Sequence, residues 1–188
     1  MITIRRELGK DAAAREALLD VGYGCARFGK VSHRLREGRQ PSVGLAFVAC
    51  DRGRIVGTVR LWDVAAGDGG PALLLGPLTV HPDHRCRGVG RALVQHALEA
   101  AVRLGHRAVL LVGDAPYYDR FGFSAEKTGH LWLPGRYDPS RFLARELAPG
   151  ALDGALGLVR ATGQPLPARV EPARVKAAHL AQPLPQAA

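Results

Sequence analysis

The chain has 188 residues, 47% of them hydrophobic, which is enough for one packed domain and too few for two comfortable ones. Its 26 Lys and Arg against 17 Asp and Glu give a net charge of +9 and a pI near 10.2, yet only 23% of residues are charged, which excludes a disordered polyelectrolyte. No apolar run approaches the roughly 20 residues that span a bilayer, no signal-peptide pattern opens the chain, and Cys25, Cys50 and Cys86 lack the pairing of a disulfide framework or zinc site. The expectation is a cytoplasmic chain with reduced thiols and no membrane partner.

Ile2 to Arg6 alternates apolar and polar residues, as a short strand does. Asp11 offers an N-cap to a helix over Ala12 to Phe28, with Ala14, Leu18 and Val21 as its apolar stripe, and Ser32 to Glu37 reads as a second helical turn. Leu45 to Cys50 and Ile55 to Trp62 are strands joined as a hairpin through Asp51, Arg52, Gly53 and Arg54. Ala72 to Val80 is a further strand whose Gly76 and Pro77 predict a bulge where pairing stops. From Gly88 to Leu104, Val89, Leu93, Ala97, Ala100 and Leu104 form one helical stripe against Arg91, Gln95, Glu99 and Arg103, with Gly105 as the C-terminal cap. Ala108 to Val112 is a continuous apolar strand, so strand, helix and strand make a βαβ unit with parallel strands. Pro116 to Phe121 reads as a short helix and Phe142 to Leu147 as the last strand. Residues 1–163 are expected to form the domain, and Gln164 to Ala188, rich in Pro and Ala, a flexible tail.

The densest chemical signal is Gly76-Pro-Leu-Thr-Val-His-Pro-Asp-His-Arg-Cys-Arg-Gly-Val-Gly-Arg-Ala-Leu93. A strand ends at Val80, Pro82 breaks it, and Arg85-Cys86-Arg87-Gly88-Val89-Gly90 turns directly into an amphipathic helix. That is a phosphate cradle: the first N–H groups of a helix lack internal acceptors, the macrodipole adds positive potential, and glycines let an anion approach the backbone. A Walker A loop is excluded because no Gly-Lys-Ser/Thr occurs, and a dinucleotide loop would want glycine where Leu93 stands and an acidic residue near Leu110.

Arg-x-x-Gly-x-Gly after Val-x-Pro resembles the acetyl-CoA pyrophosphate loop of the GNAT superfamily of N-acetyltransferases. Tyr118-Asp-Arg-Phe-Gly122-Phe123, beyond the next strand, resembles the superfamily's Tyr-x-x-x-Gly-Phe element. Leu-Gly-Pro-Leu-Thr-Val-His-Pro, Gly-Asp-Ala-Pro-Tyr-Tyr-Asp-Arg-Phe-Gly-Phe and Glu146-Leu-Ala-Pro-Gly-Ala-Leu-Asp-Gly154 are similar, within it, to the YhbS-like acetyltransferases, and the resemblance covers roughly residues 2–160. It implies an α/β fold, a twisted mixed sheet with helices on both faces, and transfer of acetyl from acetyl-CoA to a primary amine by direct attack, without a metal. Main-chain groups in Leu78, Thr79 and Val80 would bind the pantetheine arm. Arg85, Cys86, Arg87, Gly88, Val89 and Gly90 would hold the pyrophosphate, and Tyr118 would stand near the sulfur as general acid.

An ammonium cannot attack a thioester, so a base is needed. The strand Ala72 to Val80 lacks the glutamate that many relatives carry there; Asp114 is either that base, acting through water, or a helix cap. Cys86 would be a small loop residue unless an acetyl-cysteine forms on it, Tyr117 is expected to pack, and His81 and His84 read as solvated loop residues rather than a metal pair. Trp62 and Trp132 either line an acceptor pocket or pack. The expected partners are acetyl-CoA and an amine on a small molecule or a protein; a homodimer is compatible with the sequence. Two rival readings remain: an acyl-CoA-binding sensor that has lost turnover, and a nucleic-acid binder acting through its arginines. The latter fits poorly, since the cations are scattered and no block of like charge occurs.

Overall fold

The computed structural model describes residues 1–167. Its strands are β1 (Ile2–Arg6), β2 (Ala46–Asp51), β3 (Arg54–Ala65), β4 (Pro71–Val80), β5 (Ala108–Val112), β6 (Leu131–Trp132), β7 (Phe142–Glu146), β8 (Gly157–Leu158) and β9 (Arg160–Ala161). Its helices are α1 (Ala12–Tyr23), α2 (Val31–Arg34), α3 (Val89–Arg103) and α4 (Ala115–Tyr118). The main sheet runs β1-β2-β3-β4-β5-β7, with β9 pairing the far end of β3; β6 and β8 form a separate parallel pair. Every neighbouring pair in the main sheet is antiparallel except β4 and β5. Arg52 (φ 48°) and Gly53 (φ 79°) supply the left-handed pair that closes a two-residue hairpin between β2 and β3.

Two apolar clusters cover the two faces of the sheet. On one, Val89, Leu93, Val94, Ala97 and Leu98 of α3 pack on Phe47, Val59, Leu61, Leu73 and Leu75, with Tyr117 and Tyr118 at the margin. On the other, Val31 and Leu35 join Trp62, Val64, Leu74, Leu110 and Phe142. This is the layered α/β arrangement expected from the βαβ signal.

Several sequence expectations are corrected. The first helix stops at Tyr23 rather than Phe28, because Gly24 leaves the helical conformation and Cys25–Gly29 continues only as a 3-10 turn. Its inward face is Arg15, Leu18 and Leu19, while Ala14 and Val21 face solvent. The rotation brings Gly22 onto β4, where a Cβ would lie 2.2 Å from Thr79 Oγ1, and turns Arg15 toward Glu7. Asp11 does not cap α1 with its side chain; its carboxylate accepts from Arg5 and from Leu8 N–H instead. Leu104, placed on the buried stripe of α3, is 48% exposed. Phe142 to Leu147 is not the last strand, since β8 and β9 follow.

The chain just past the expected domain boundary is bonded to the body: Gln164 O accepts from Gln40 N, and Leu166 N donates to Gly38 O. Residues 168–188 of the proposed tail lie outside the described residues.

Candidate active site

β4 and β5 are in register only at Leu73↔Val109 and Leu74↔Leu110. Beyond them β4 bends at Gly76-Pro77, its register with β3 shifting between Val59 and Leu61, and the two parallel strands part. The indole Nε1 of Trp62 donates to the Gly76 carbonyl and braces the bend, so Trp62 is a buried support and does not line the opening. The Leu78 carbonyl accepts from the Tyr23 hydroxyl, and the Val80 carbonyl accepts from Arg85 Nε at 3.4 Å. Both therefore face away from the β3 ladder, toward the opening, and each retains a second lone pair. Thr79 is set apart from them: it stands opposite Thr58, with its side chain buried beneath α1.

One end of this edge leads to the predicted cradle. Gly88 is the N-cap of α3 with φ 76°, a left-handed conformation that favours glycine, and Cys86 (φ 59°) adopts it too. Arg85, Cys86, Gly88, Val89 and Gly90 line an open cavity with Val80, Tyr117 and Arg120. A Cβ on Gly90 would lie 2.9 Å from the Tyr117 hydroxyl, so Tyr117 both packs on Phe121 and presents its phenol to the cradle. His84 Nε2 lies 3.2 Å from Asp51, and His81 Nδ1 accepts from Asp83 N, so both histidines are engaged by neighbours rather than merely solvated. Among the described residues no group of three or more His, Cys, Asp or Glu side chains is gathered.

The other end opens into a small cavity of about 60 Å³ lined by Tyr23, Arg27, Lys30, Ser32, Arg36, Leu75, Gly76, Pro77, Leu78, Val112 and Tyr118. Tyr118 thus stands in the gap between β4 and β5, and burial pushes its hydroxyl above the ordinary tyrosine range. Burial likewise raises the Tyr23 hydroxyl and lowers the Arg36 guanidinium to about 10, which leaves it charged at neutral pH. Asp114 is exposed at the N-terminus of α4, where its main-chain carbonyl accepts from Tyr117 and Tyr118 N–H; its carboxylate makes no cap bond and lines neither cavity. Trp132 is half exposed on a groove with His130 and Leu156, away from the strand opening. Sequence reasoning missed Tyr23, Lys30 and Arg36, which come from the α1–α2 segment and carry no motif.

A family model described as acetyltransferase (GNAT) domain matches residues 42–125. The chain is 34% identical over 159 residues to the uncharacterized N-acetyltransferase YhbS of Escherichia coli K12, covering 83% of this chain and 93% of that relative. Among solved structures, YhbS from Escherichia coli in complex with CoA matches with TM-score 0.70 at 34% identity, covering 85% of this chain and 89% of that one. A GNAT family acetyltransferase from Brucella melitensis in complex with acetyl-CoA matches with TM-score 0.61 at 26% identity, covering 79% and 90%. The parted parallel strands and the cradle define an acyltransferase architecture, and the chain belongs to the GNAT family of N-acetyltransferases. Among the described residues, no helix is long and apolar enough to cross a membrane.

Proposed function

We propose that the protein binds acetyl-CoA in the opening between β4 and β5 and transfers its acetyl group directly to a primary amine. The observation that carries this reading is the V-shaped gap itself: parallel strands that part after two paired positions, with main-chain acceptors that keep a lone pair on one wall, an anion cradle at one end and a tyrosine between them. The cradle's N–H groups and Arg85 suit the pyrophosphate, and the Leu78 and Val80 main chain suits the amide-bearing arm. The CoA and acetyl-CoA complexes of the two relatives support the same choice of donor.

The acceptor enters by the cavity beneath α1 and α2. Among the described residues no carboxylate lines it. Lys30 and Arg36 instead create a positive field, which lowers the pKa of an incoming amine and raises its neutral fraction. Attack of the neutral amine forms the C–N bond and breaks the C–S bond; the proton lost from nitrogen passes to solvent, the expelled thiolate is protonated from solvent, and the Tyr118 hydroxyl donates a hydrogen bond to the sulfur as charge develops there. Because burial raises the tyrosine well above a thiol's value of about 8.5, complete proton transfer is uphill and stabilisation by hydrogen bonding dominates. A cytoplasmic location belongs to this reading. The test is calorimetric titration with CoA together with release of free CoA across an amine panel, followed with a thiol reagent. Binding and release together support transfer. Binding with no release from any amine points to a sensor, and no binding rejects the assignment of the opening.

A further inference from the structure

Several arginines whose side chains are largely shielded from solvent are paired with carboxylates. Arg15 meets Glu7 and Glu16, Arg60 meets Glu7, and Arg27 meets Glu16 and Asp20 at 2.7 and 2.9 Å. Arg36 is not paired in this way, and it differs from Arg39 and Arg145, which lack a carboxylate but give a terminal nitrogen to the Gly163 and Phe121 carbonyls. Among the described residues the Arg36 side chain makes one hydrogen bond, from Nε to the Ser32 carbonyl at 3.0 Å, which leaves both terminal nitrogens without a protein acceptor, and no carboxylate lies within ion-pair distance. Among the described residues Lys30 has no carboxylate partner either; its ammonium lies over the Tyr23 ring at 4.2 Å. Both cations and the Ser32 residue line the cavity that Tyr118 closes on its other side. A half-buried guanidinium held without a counter-charge is costly, and it persists where a ligand completes it.

From this cluster we infer that the acceptor is a small amine carrying its own anionic group, a carboxylate or a phosphate, which Arg36 and Lys30 bind while the amine faces the β4–β5 opening. The inference rests on the acetyltransferase reading and specifies its substrate class. Arg36, Lys30 and Tyr118 line one cavity, so a molecule whose amine and anion lie a few bonds apart can meet them together. Polyamines are excluded by the same field, because a second ammonium would sit against two unpaired cations.

Serine, O-phosphoethanolamine and ethanolamine share one aminoethanol skeleton and differ in the anion. Each is compared as acceptor by CoA release, and by calorimetric binding to the CoA-saturated protein, which does not depend on turnover. Serine, O-phosphoethanolamine or both should exceed ethanolamine about tenfold or more, as charge-assisted hydrogen bonds to a guanidinium do, and which of them does so tells carboxylate from phosphate. Arg36→Gln should remove that preference while calorimetric affinity for CoA stays within about twofold. Lys30→Gln, at an exposed position, should reduce the preference and serves as the second variant if Arg36→Gln folds poorly. Preferential binding of an anionic amine without turnover supports this inference while the proposed activity fails. Ethanolamine matching both anionic amines overturns the inference even if it is acetylated, and full preference surviving both substitutions overturns the assignment to Arg36 and Lys30.

Discussion

Tyr118 and Tyr117 are adjacent in sequence, their rings 5.0 Å apart and nearly perpendicular, yet they serve different cavities. Tyr118→Phe keeps the ring that fills the space over Gly113 and removes only the hydroxyl. Because the raised pKa favours hydrogen bonding over full proton transfer, turnover should fall about tenfold to a hundredfold, with the KM for acetyl-CoA changed less than about threefold. Unchanged single-turnover rates would refute a role at the sulfur. Tyr117→Phe, in contrast, should raise the KM for acetyl-CoA and leave kcat close to wild type, since its phenol stands at the cradle over Gly90. Asp114→Asn should stay within about threefold of wild type, and log kcat/KM should rise with pH toward the acceptor amine's pKa with no plateau in the carboxylate range, since no carboxylate lines the acceptor cavity. A plateau near pH 4 to 5 that disappears in Asp114→Asn would restore that residue as the base.

At the scale of elements, the cradle depends on the N-terminus of α3 and on a left-handed residue that only glycine adopts cheaply. Gly88→Val forces a β-branched residue to φ 76°, so it should weaken CoA binding about tenfold or more by calorimetry while the far-UV circular dichroism is retained. CoA affinity equal to wild type would reject the cradle. The elements that build this half of the site were legible in the chain because each carries a local signal: the apolar run of β5, the stripe of α3, the Gly76-Pro77 break and the glycine loop. The register of α1 was not. The apolar stripe Ala14, Leu18 and Val21 leaves Arg15 out, yet Arg15 is 8% exposed because it pairs with the buried Glu7, and Val21 is left outside. The acceptor cavity was equally illegible. Lys30, Ser32 and Arg36 meet Leu75–Leu78 only through the tertiary packing of α2 on the sheet, and a scattered basic residue looks the same in sequence whether or not it has a partner.

The molecule as a whole is tied at its first strand by two ionic knots. Glu7, 6% exposed at its side chain, receives both Arg15 and Arg60, and Glu7→Ala leaves the shielded Arg60 without a carboxylate and Arg15 with Glu16 alone. The expected cost is about 3 to 5 kcal/mol, a fall in Tm on the order of 10 °C for a domain of this size; a fall under about 3 °C would show that the knot contributes little. Asp11 ties the loop after β1: the Arg5 guanidinium at 2.6 and 2.9 Å, with Leu8 N–H, holds its carboxyl down at about 2. Its folded pKa lies below the unfolded value of about 4, so its contribution is present above pH 4 and is lost as pH falls toward 2. Urea midpoints measured between pH 5 and pH 2 should fall more steeply in wild type than in Asp11→Asn. The brace at the bend of β4 has a practical consequence as well. Of the two tryptophans, Trp62 is 7% exposed and hydrogen bonded to the residue where the strands part, whereas Trp132 is 50% exposed and remote. Trp132→Phe therefore yields a single-fluorophore protein whose emission is shielded from solvent and coupled to the apex of the notch. It would report donor occupancy optically in real time, without label or turnover.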